Sequence, residues 1–195
     1  MSTDPKGIKL IVGLGNPGQR YLSTRHNVGF SLVQLLVQEY QVVLKAMAKF
    51  QSLGGELVID ARKSLLLLPQ TFMNLSGKAV GKVARYYAVA PEEILVVHDE
   101  LDFVPGIARL KFSGGANGHN GVQSIMDHLG SGAFWRLRIG IGKPVIKDDR
   151  VNYVLAVPRS EELKQIDNAL VAAAAVIPKL MTGDFERAVN QLHSA

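Results

Sequence analysis

Hydrophobic and polar positions along the chain fall into short blocks that predict strands interleaved with helices. Ile8-Lys9-Leu10-Ile11-Val12 is an apolar run stopped by Gly13, too short for a helix and rich in β-branched residues, and it predicts a buried strand. In Phe30 to Tyr40 the apolar positions 32, 33, 36 and 40 recur at helical spacing around Gln34, Gln38 and Glu39. Leu57-Val58-Ile59 and Leu65 to Leu68, separated by the polar Asp60 to Ser64, read as an antiparallel hairpin. A helix is expected from about Ser76 to Ala88, with Lys78, Lys82 and Arg85 on one face and Val80, Val83, Ala84 and Tyr87 on the other. Ile94 to Val97 is a further buried strand, after which the chain turns abruptly polar in His98-Asp99-Glu100. Ala108 to Phe112 and Leu137 to Ile141 read as strands, and Val122 to Leu129 as a helix with apolar residues at 122, 125, 126 and 129. Trp135, Leu137, Ile139 and Ile141 alternate with Arg136 and Arg138, which predicts a strand with one core face and one basic face.

Glu161 to Met181 reads as one long helix capped by Ser160, and Phe185 to Leu192 as a short closing helix. No repeat and no linker-like change of composition interrupts this series. The expected architecture is one α/β domain over residues 8–195, a twisted mixed sheet flanked by helices, preceded by a flexible segment, 1–7. Gly142 to Arg150 is polar and turn-rich, as expected of a mobile surface loop near a site.

Composition narrows the chemistry. The chain has no cysteine among its 195 residues, which excludes a disulfide framework, a thiol nucleophile, thiolate zinc and iron–sulfur clusters. Met1 to Gly7 lack the apolar core of a signal peptide, and no apolar run is long enough to span a bilayer, so a soluble cytoplasmic protein is expected. The 22 basic against 17 acidic residues give a net charge of +5, which suits a polyanionic partner without requiring one.

Gly13-Leu14-Gly15-Asn16-Pro17-Gly18 has the spacing of the dinucleotide fingerprint. Gly18 leads, however, into a polar stretch with no helical period, so no helix N-terminus is in place to hold a pyrophosphate, and Asn16-Pro17-Gly18 reads as a turn. The phosphate-binding loop, the serine-hydrolase elbow and the zinc-protease helix motif are absent. The remaining candidates are polar residues at strand ends and glycine-rich turns: Asn16, Arg25-His26-Asn27, Asn74, His98-Asp99-Glu100 and Gly114 to Gly121. Asn16 and Asp99 each follow a buried strand, where ligands bind in open α/β sheets. Neighbours in an extended chain point to opposite faces, so His98 and Glu100 share one side and Asp99 the other. Asp99 is therefore matched with a distant histidine, and the three do not converge on one metal ion. Turn roles for Asn16, Asn74 and Asn117, and a merely solvated face for Lys78, Lys82, Arg85, Lys111, Arg136 and Arg138, remain open on the residues alone.

At these same positions the sequence resembles the bacterial-type peptidyl-tRNA hydrolases. The matching segments are Ile11 to Gly18, Tyr21, Thr24-Arg25-His26-Asn27-Val28-Gly29, Phe72-Met73-Asn74-Leu75-Ser76-Gly77, His98-Asp99-Glu100-Leu101-Asp102, Gly118-His119-Asn120-Gly121 and Arg136 to Gly142. They occur in the family's order and cover the chain from about Ile8 to His193. The resemblance implies the family's phosphorylase-like fold and hydrolysis of the ester between a peptide and the 3′ ribose of tRNA, by a cytoplasmic monomer without metal or organic cofactor. It implies His26 as general base, oriented by Asp99, with Asn16 and Asn74 holding the peptide and ribose ends and Asn120 positioning water or the oxyanion. Tyr21, Met73 and His119 match cleft-lining positions, and Lys111 and Arg138 match a basic pair for the 5′ phosphate of tRNA. Ala116-Asn117 stand where relatives are richer in glycine, and Asn117 is expected to keep a left-handed backbone. The alternative is a non-catalytic RNA-binding scaffold of the same fold.

Overall fold

A computed structural model describes residues 6–146 and 149–194. Its seven strands, β1 (Leu10–Gly13), β2 (Lys45–Met47), β3 (Ser52–Ile59), β4 (Arg62–Pro69), β5 (Ile94–Glu100), β6 (Ala108–Phe112) and β7 (Trp135–Gly140), form one sheet in the order β2-β3-β4-β1-β5-β7-β6. The central strands β4, β1, β5 and β7 are parallel, and the pairs at both edges are antiparallel. Parallel strands covered on both faces need uninterrupted apolar sequence, and β1 and β5 are buried at every position. On one face Ile11, Leu66, Leu95, Val97, Leu137 and Ile139 pack under α1 (Val28–Glu39), α5 (Ser160–Ala174), α6 (Ile177–Thr182) and α7 (Phe185–His193). On the other, Leu10, Val12, Leu67 and Val96 pack under α2 (Ser76–Tyr86) and α3 (Asn120–Leu129). The remaining helix is the five-residue α4 (Arg150–Val154).

Two glycines bring α1 onto the sheet. A Cβ at Gly13 would lie 2.4 Å from the Gly29 carbonyl oxygen, and one at Gly29 would lie 2.4 Å from the Val97 carbonyl oxygen. The first turn of α1 thus rests directly on the ends of β1 and β5, which carries the loop before it to the C-terminal edge of the sheet. The expected β3–β4 hairpin forms, but its strands begin at Ser52 and Arg62, so the connection is only Asp60 and Ala61, both with positive φ (47° and 63°), the form that matches strand twist.

Several boundaries differ from expectation. The β5 strand continues through His98, Asp99 and Glu100, all buried, instead of ending at Val97. The long helix after residue 160 is two, because Pro178 supplies no N–H to a continuing ladder and its ring clashes with the preceding turn, so α5 stops at Ala174 and Pro178 sits in the first turn of α6. Ser160 is the first helical residue of α5 and Arg159 holds the cap position, its N–H donating to the Glu162 carboxylate. The loop expected over 142–150 runs directly into α4, and its Lys147 and Asp148 lie outside the described residues. Of the expected segment 1–7, residues 1–5 also lie outside them, while a Cβ at Gly7 would lie 2.0 Å from the Met181 carbonyl oxygen. On α2, Val80, Val83 and Ala84 are buried as the pattern requires, but Tyr87 is exposed and packs edge-on against Tyr86.

The basic face of β7 is only half exposed. Register places Arg109 opposite Arg138 and Lys111 opposite Arg136, so all four point to the same side of the β6–β7 pair. Arg136 is buried there, donating to the Gly115 carbonyl at 2.7 Å and to the Ser113 carbonyl, so it braces the loop that follows β6.

Candidate active site

The C-terminal ends of β1 and β5 converge with the turns before α1 and α3. Asp99, the penultimate residue of β5, is buried, and its Oδ1 accepts two hydrogen bonds: one from His26 Nδ1 at 2.8 Å and one from His119 Nε2 at 2.9 Å. Burial favours the neutral acid, but the two imidazoles outweigh it and hold Asp99 well below the usual carboxylate range. His119 caps α3: its Nδ1 accepts from the backbone N–H of Gly121 at 3.1 Å and of Val122 at 3.3 Å. Its single ring proton is therefore on Nε2, facing Asp99. His26 likewise carries its proton on Nδ1, which leaves the Nε2 lone pair as the basic atom of the cluster.

Burial pushes the His26 imidazolium down in pKa, but the charge and hydrogen bond of Asp99 prevail and raise it above its ordinary value of 6.5. The His26 side chain is 12% exposed, at the wall of a cleft of about 100 Å³ shared with Leu101, Asn120, Arg150 and Val151. Past Leu101, Asn117 and Arg150 this cleft opens into a wider recess of about 290 Å³ beside Lys143 to Val145.

Strand alternation separates His98-Asp99-Glu100 as expected. His98 faces away from Asp99's carboxylate, donating through Nδ1 to the Asp99 carbonyl at 2.7 Å with its ring 4.8 Å from that of His119. Full burial pushes it down to about 3, so it stays a neutral packing residue at physiological pH. Glu100 accepts from Arg138 Nε at 2.9 Å and from the Asp102 N–H at 3.1 Å.

Among the described residues, His26, Asp99 and His119 are spaced to hold a metal ion, their ligand atoms lying within 4.8 Å of one another. The hydrogen bonding argues against that use: both histidines direct an N–H at Asp99, and the second nitrogen of His119 is occupied by the α3 backbone. A cation between them would displace two protons and release the helix cap.

Asn16 is fixed from two sides. Fully buried Asn27 grips its backbone, accepting from Asn16 N–H at 2.9 Å and donating to Asn16 C=O at 3.0 Å. Asn16 Oδ1 in turn accepts from the Met73 N–H at 2.8 Å, so Nδ2 is the group left to donate. Met73 is buried against the start of α3, where a Cβ on Gly121 would lie 2.5 Å from its Sδ and 3.2 Å from the His119 ring. Residues from four distant segments thus form one connected arc: His26 and Asn27, Asn16, Met73, Gly121, His119 and Asp99.

Other expected residues stand apart from it. Asn120, the first residue of α3, lines the cleft. Asn74 is exposed on the adjoining turn Met73–Leu75, and Tyr21 lies on the turn Gln19–Tyr21 under the Arg20 guanidinium. Lys111 and Arg138 lie outside the cleft, on the β6–β7 face: Lys111 is exposed, with its Nζ 3.2 Å from a Cβ placed on Gly114, while Arg138 is paired with Glu100 and stacked on Phe103. Asn117 has φ 51°, the left-handed backbone expected of it.

The sequence singled out Arg25 and Asn27 beside His26 but not what they do, and it marked Arg150 only as the end of a polar loop. Asn27 acts through backbone contacts invisible to pattern. Arg150 enters the cleft from α4, a helix too short for periodicity to show. Buried Arg25 donates to the carbonyls of Tyr153, Ala156 and Val157 at 3.3–3.4 Å and pairs with Glu162 at 2.7 Å, tying the α4 wall to the residue next to His26.

The peptidyl-tRNA hydrolase family model matches residues 10–195. The peptidyl-tRNA hydrolase of Nitrosospira multiformis is 50% identical over 187 residues, covering 96% of this chain and 98% of that one. That of Variovorax paradoxus is 47% identical over 188 residues, covering 96% and 90%. The crystal structure of peptidyl-tRNA hydrolase from Acinetobacter baumannii superposes with a TM-score of 0.94 at 43% identity, covering 98% of this chain and 97% of that one. Matched by the family model over residues 10–195 and by relatives about half identical over nearly its whole length, this chain belongs to the peptidyl-tRNA hydrolase family.

Proposed function

We infer that this chain hydrolyses the ester between a peptide and the 3′ ribose of tRNA, with His26 as general base. The observation that carries the assignment of roles is the free Nε2 of His26 at the cleft wall, its other nitrogen donating at 2.8 Å to a buried carboxylate. Nε2 takes a proton from water as the water oxygen bonds to the ester carbonyl carbon, and Asp99 stabilises the imidazolium that forms. As the tetrahedral intermediate collapses, the same proton passes to the departing ribose oxygen, which releases free peptide and tRNA. An ester leaves more easily than an amide, so one activated water suffices without a covalent intermediate.

Asn16 Nδ2 and Asn74 hold the peptide and ribose ends, and Asn120, which lines the cleft, donates to water or the developing oxyanion. Tyr21 and Met73 line the approach. Lys111 and Arg138 receive the 5′ phosphate of the tRNA; Arg138 does so while sharing its guanidinium with Glu100, so Lys111 supplies the uncommitted charge. No helix among the described residues is long and apolar enough to cross a membrane, and we place the enzyme in the cytoplasm, as a monomer, where peptidyl-tRNA arises. The test is release of the acyl group from N-acetylaminoacyl-tRNA beside the unblocked aminoacyl-tRNA. Cleavage of the blocked ester alone is expected. Binding of tRNA by the folded protein without cleavage would overturn the reading in favour of a scaffold.

A further inference from the structure

We propose that His119 is a positioning residue that sets the basicity of His26 by competing with it for a single oxygen of Asp99. The proposal deepens the reading of His26 as the base, and it rests on geometry. Both histidines donate to the same atom, Asp99 Oδ1, at 2.8 and 2.9 Å, and their rings lie 5.0 Å apart. Neither nitrogen of His119 is left for substrate. Nε2–H is spent on Asp99, and Nδ1 takes two N–H groups of the first turn of α3. With Nδ1 accepting from those two N–H groups, the ring proton sits on Nε2 and the helix makes His119 a fixed donor to Asp99.

A second donor on one carboxylate oxygen draws off negative charge that would otherwise stabilise the His26 imidazolium. His119 thereby limits how far Asp99 raises His26, and keeps more of the free base available near neutral pH. The other charged or titratable groups around His26 are otherwise engaged or exposed: His98 is buried and neutral, Glu100 is paired with Arg138, Arg25 beside it is paired with Glu162, and Arg150 on α4 is solvent-exposed. None of these contacts Asp99 Oδ1. The His119 ring also covers the pair, its side chain being 7% exposed, so that removing it admits water and favours the imidazolium further.

The two functions of the ring are separable by side-chain length. Asparagine places an acceptor where Nδ1 stands and keeps the cap, but is too short to reach Asp99. Glutamine places a donor where Nε2 stands and reaches Asp99, but does not cap. The experiment is an NMR titration of the His26 imidazole in wild type, His119→Asn and His119→Gln without substrate, together with the acid limb of kcat/KM and the melting temperature. We expect His119→Asn to move the His26 titration and the acid limb upward by about half to one pH unit, with little loss of stability. His119→Gln is expected to restore both towards wild type while melting lower. An unmoved or lowered titration in His119→Asn overturns the proposal and leaves His119 as a helix cap only. Because the titration needs no turnover, it remains decisive even if the assignment of His26 as base fails.

Discussion

Replacing Asp99 by asparagine is the most informative single change to the cluster. The substitution keeps shape and removes the charge that meets both imidazoles at one oxygen. A hydrogen bond to a charged group contributes about 1.5–3 kcal/mol, and a tenfold change in rate corresponds to about 1.4 kcal/mol. The His26 contact, with partner side chains 12% and 3% exposed, is shielded enough for that range to apply without a large discount for solvent. Loss of the imidazolium's stabilisation alone therefore predicts a fall of about 10- to 100-fold in kcat. Disorder of the His26 tautomer adds to it.

The pH dependence gives a second, independent signature. Asp99 raises His26 above 6.5, so wild-type kcat/KM climbs with pH as that imidazole loses its proton and levels off above its raised value. In Asp99→Asn the raising cause is gone and burial remains, so the acid limb moves down while the plateau falls. Stability follows with its own signs. The depressed Asp99 contributes stability that is present above 3.8 and lost as pH falls towards its lowered value. The raised His26 contributes stability that is present below 6.5 and lost as pH climbs through its raised value. The wild-type advantage over Asp99→Asn is thus greatest between those two reference values. Stopped-time assays of N-acetylaminoacyl-tRNA across pH 5 to 9 in steps of about half a unit, with circular dichroism on the same samples, read all three effects. An unchanged plateau, or an acid limb that moves up, would refute the electrostatic account of the pair.

Three further outcomes are expected. Lys111→Ala raises KM for full-length tRNA substrates with kcat nearly intact and lowers the salt slope by about one ion, checked by kinetics at several ionic strengths; an unchanged slope removes it from the phosphate site. Asn27→Ala, which frees both backbone contacts of Asn16, lowers kcat by about tenfold while His26 titrates as before, since a buried polar partner is lost without touching Asp99; a shifted His26 titration would contradict that separation. Ala61→Gly relieves a positive φ in the β3–β4 turn and raises stability by about 0.5 kcal/mol, read by chemical denaturation; destabilisation would show that the turn is not strained.

Much of this was legible in the chain because the central strands are parallel and fully buried, so their apolar runs stand out regardless of tertiary detail. The alternation rule alone separated Asp99 from His98 and directed it to a distant histidine, and the structure places its Oδ1 2.8 Å from His26 Nδ1. What stayed hidden has physical reasons. The edge strand β2 is three residues long and largely exposed, with no apolar face to betray it. The Ile166 to Leu180 pattern continues through the α5–α6 break because both helices bury against the same face of the sheet. The apolar pattern ends at Val97, short of the end of β5, because burial of the charges beyond it depends on partners far along the chain, Arg138 for Glu100 and two histidines for Asp99. The tautomer of His119 depends on two backbone N–H groups that no side-chain motif reveals.

The central claim is that His26 Nε2 activates the water that cleaves the ester. The most direct measurement is single-turnover release of peptide from N-acetylaminoacyl-tRNA by wild type and His26→Ala, with circular dichroism and tRNA binding recorded on both. The account predicts rapid release by wild type and a loss of at least about a thousandfold in His26→Ala, from base catalysis and the imidazolium–Asp99 contact together, with fold and tRNA binding retained. Release at the wild-type rate by a folded His26→Ala would contradict it.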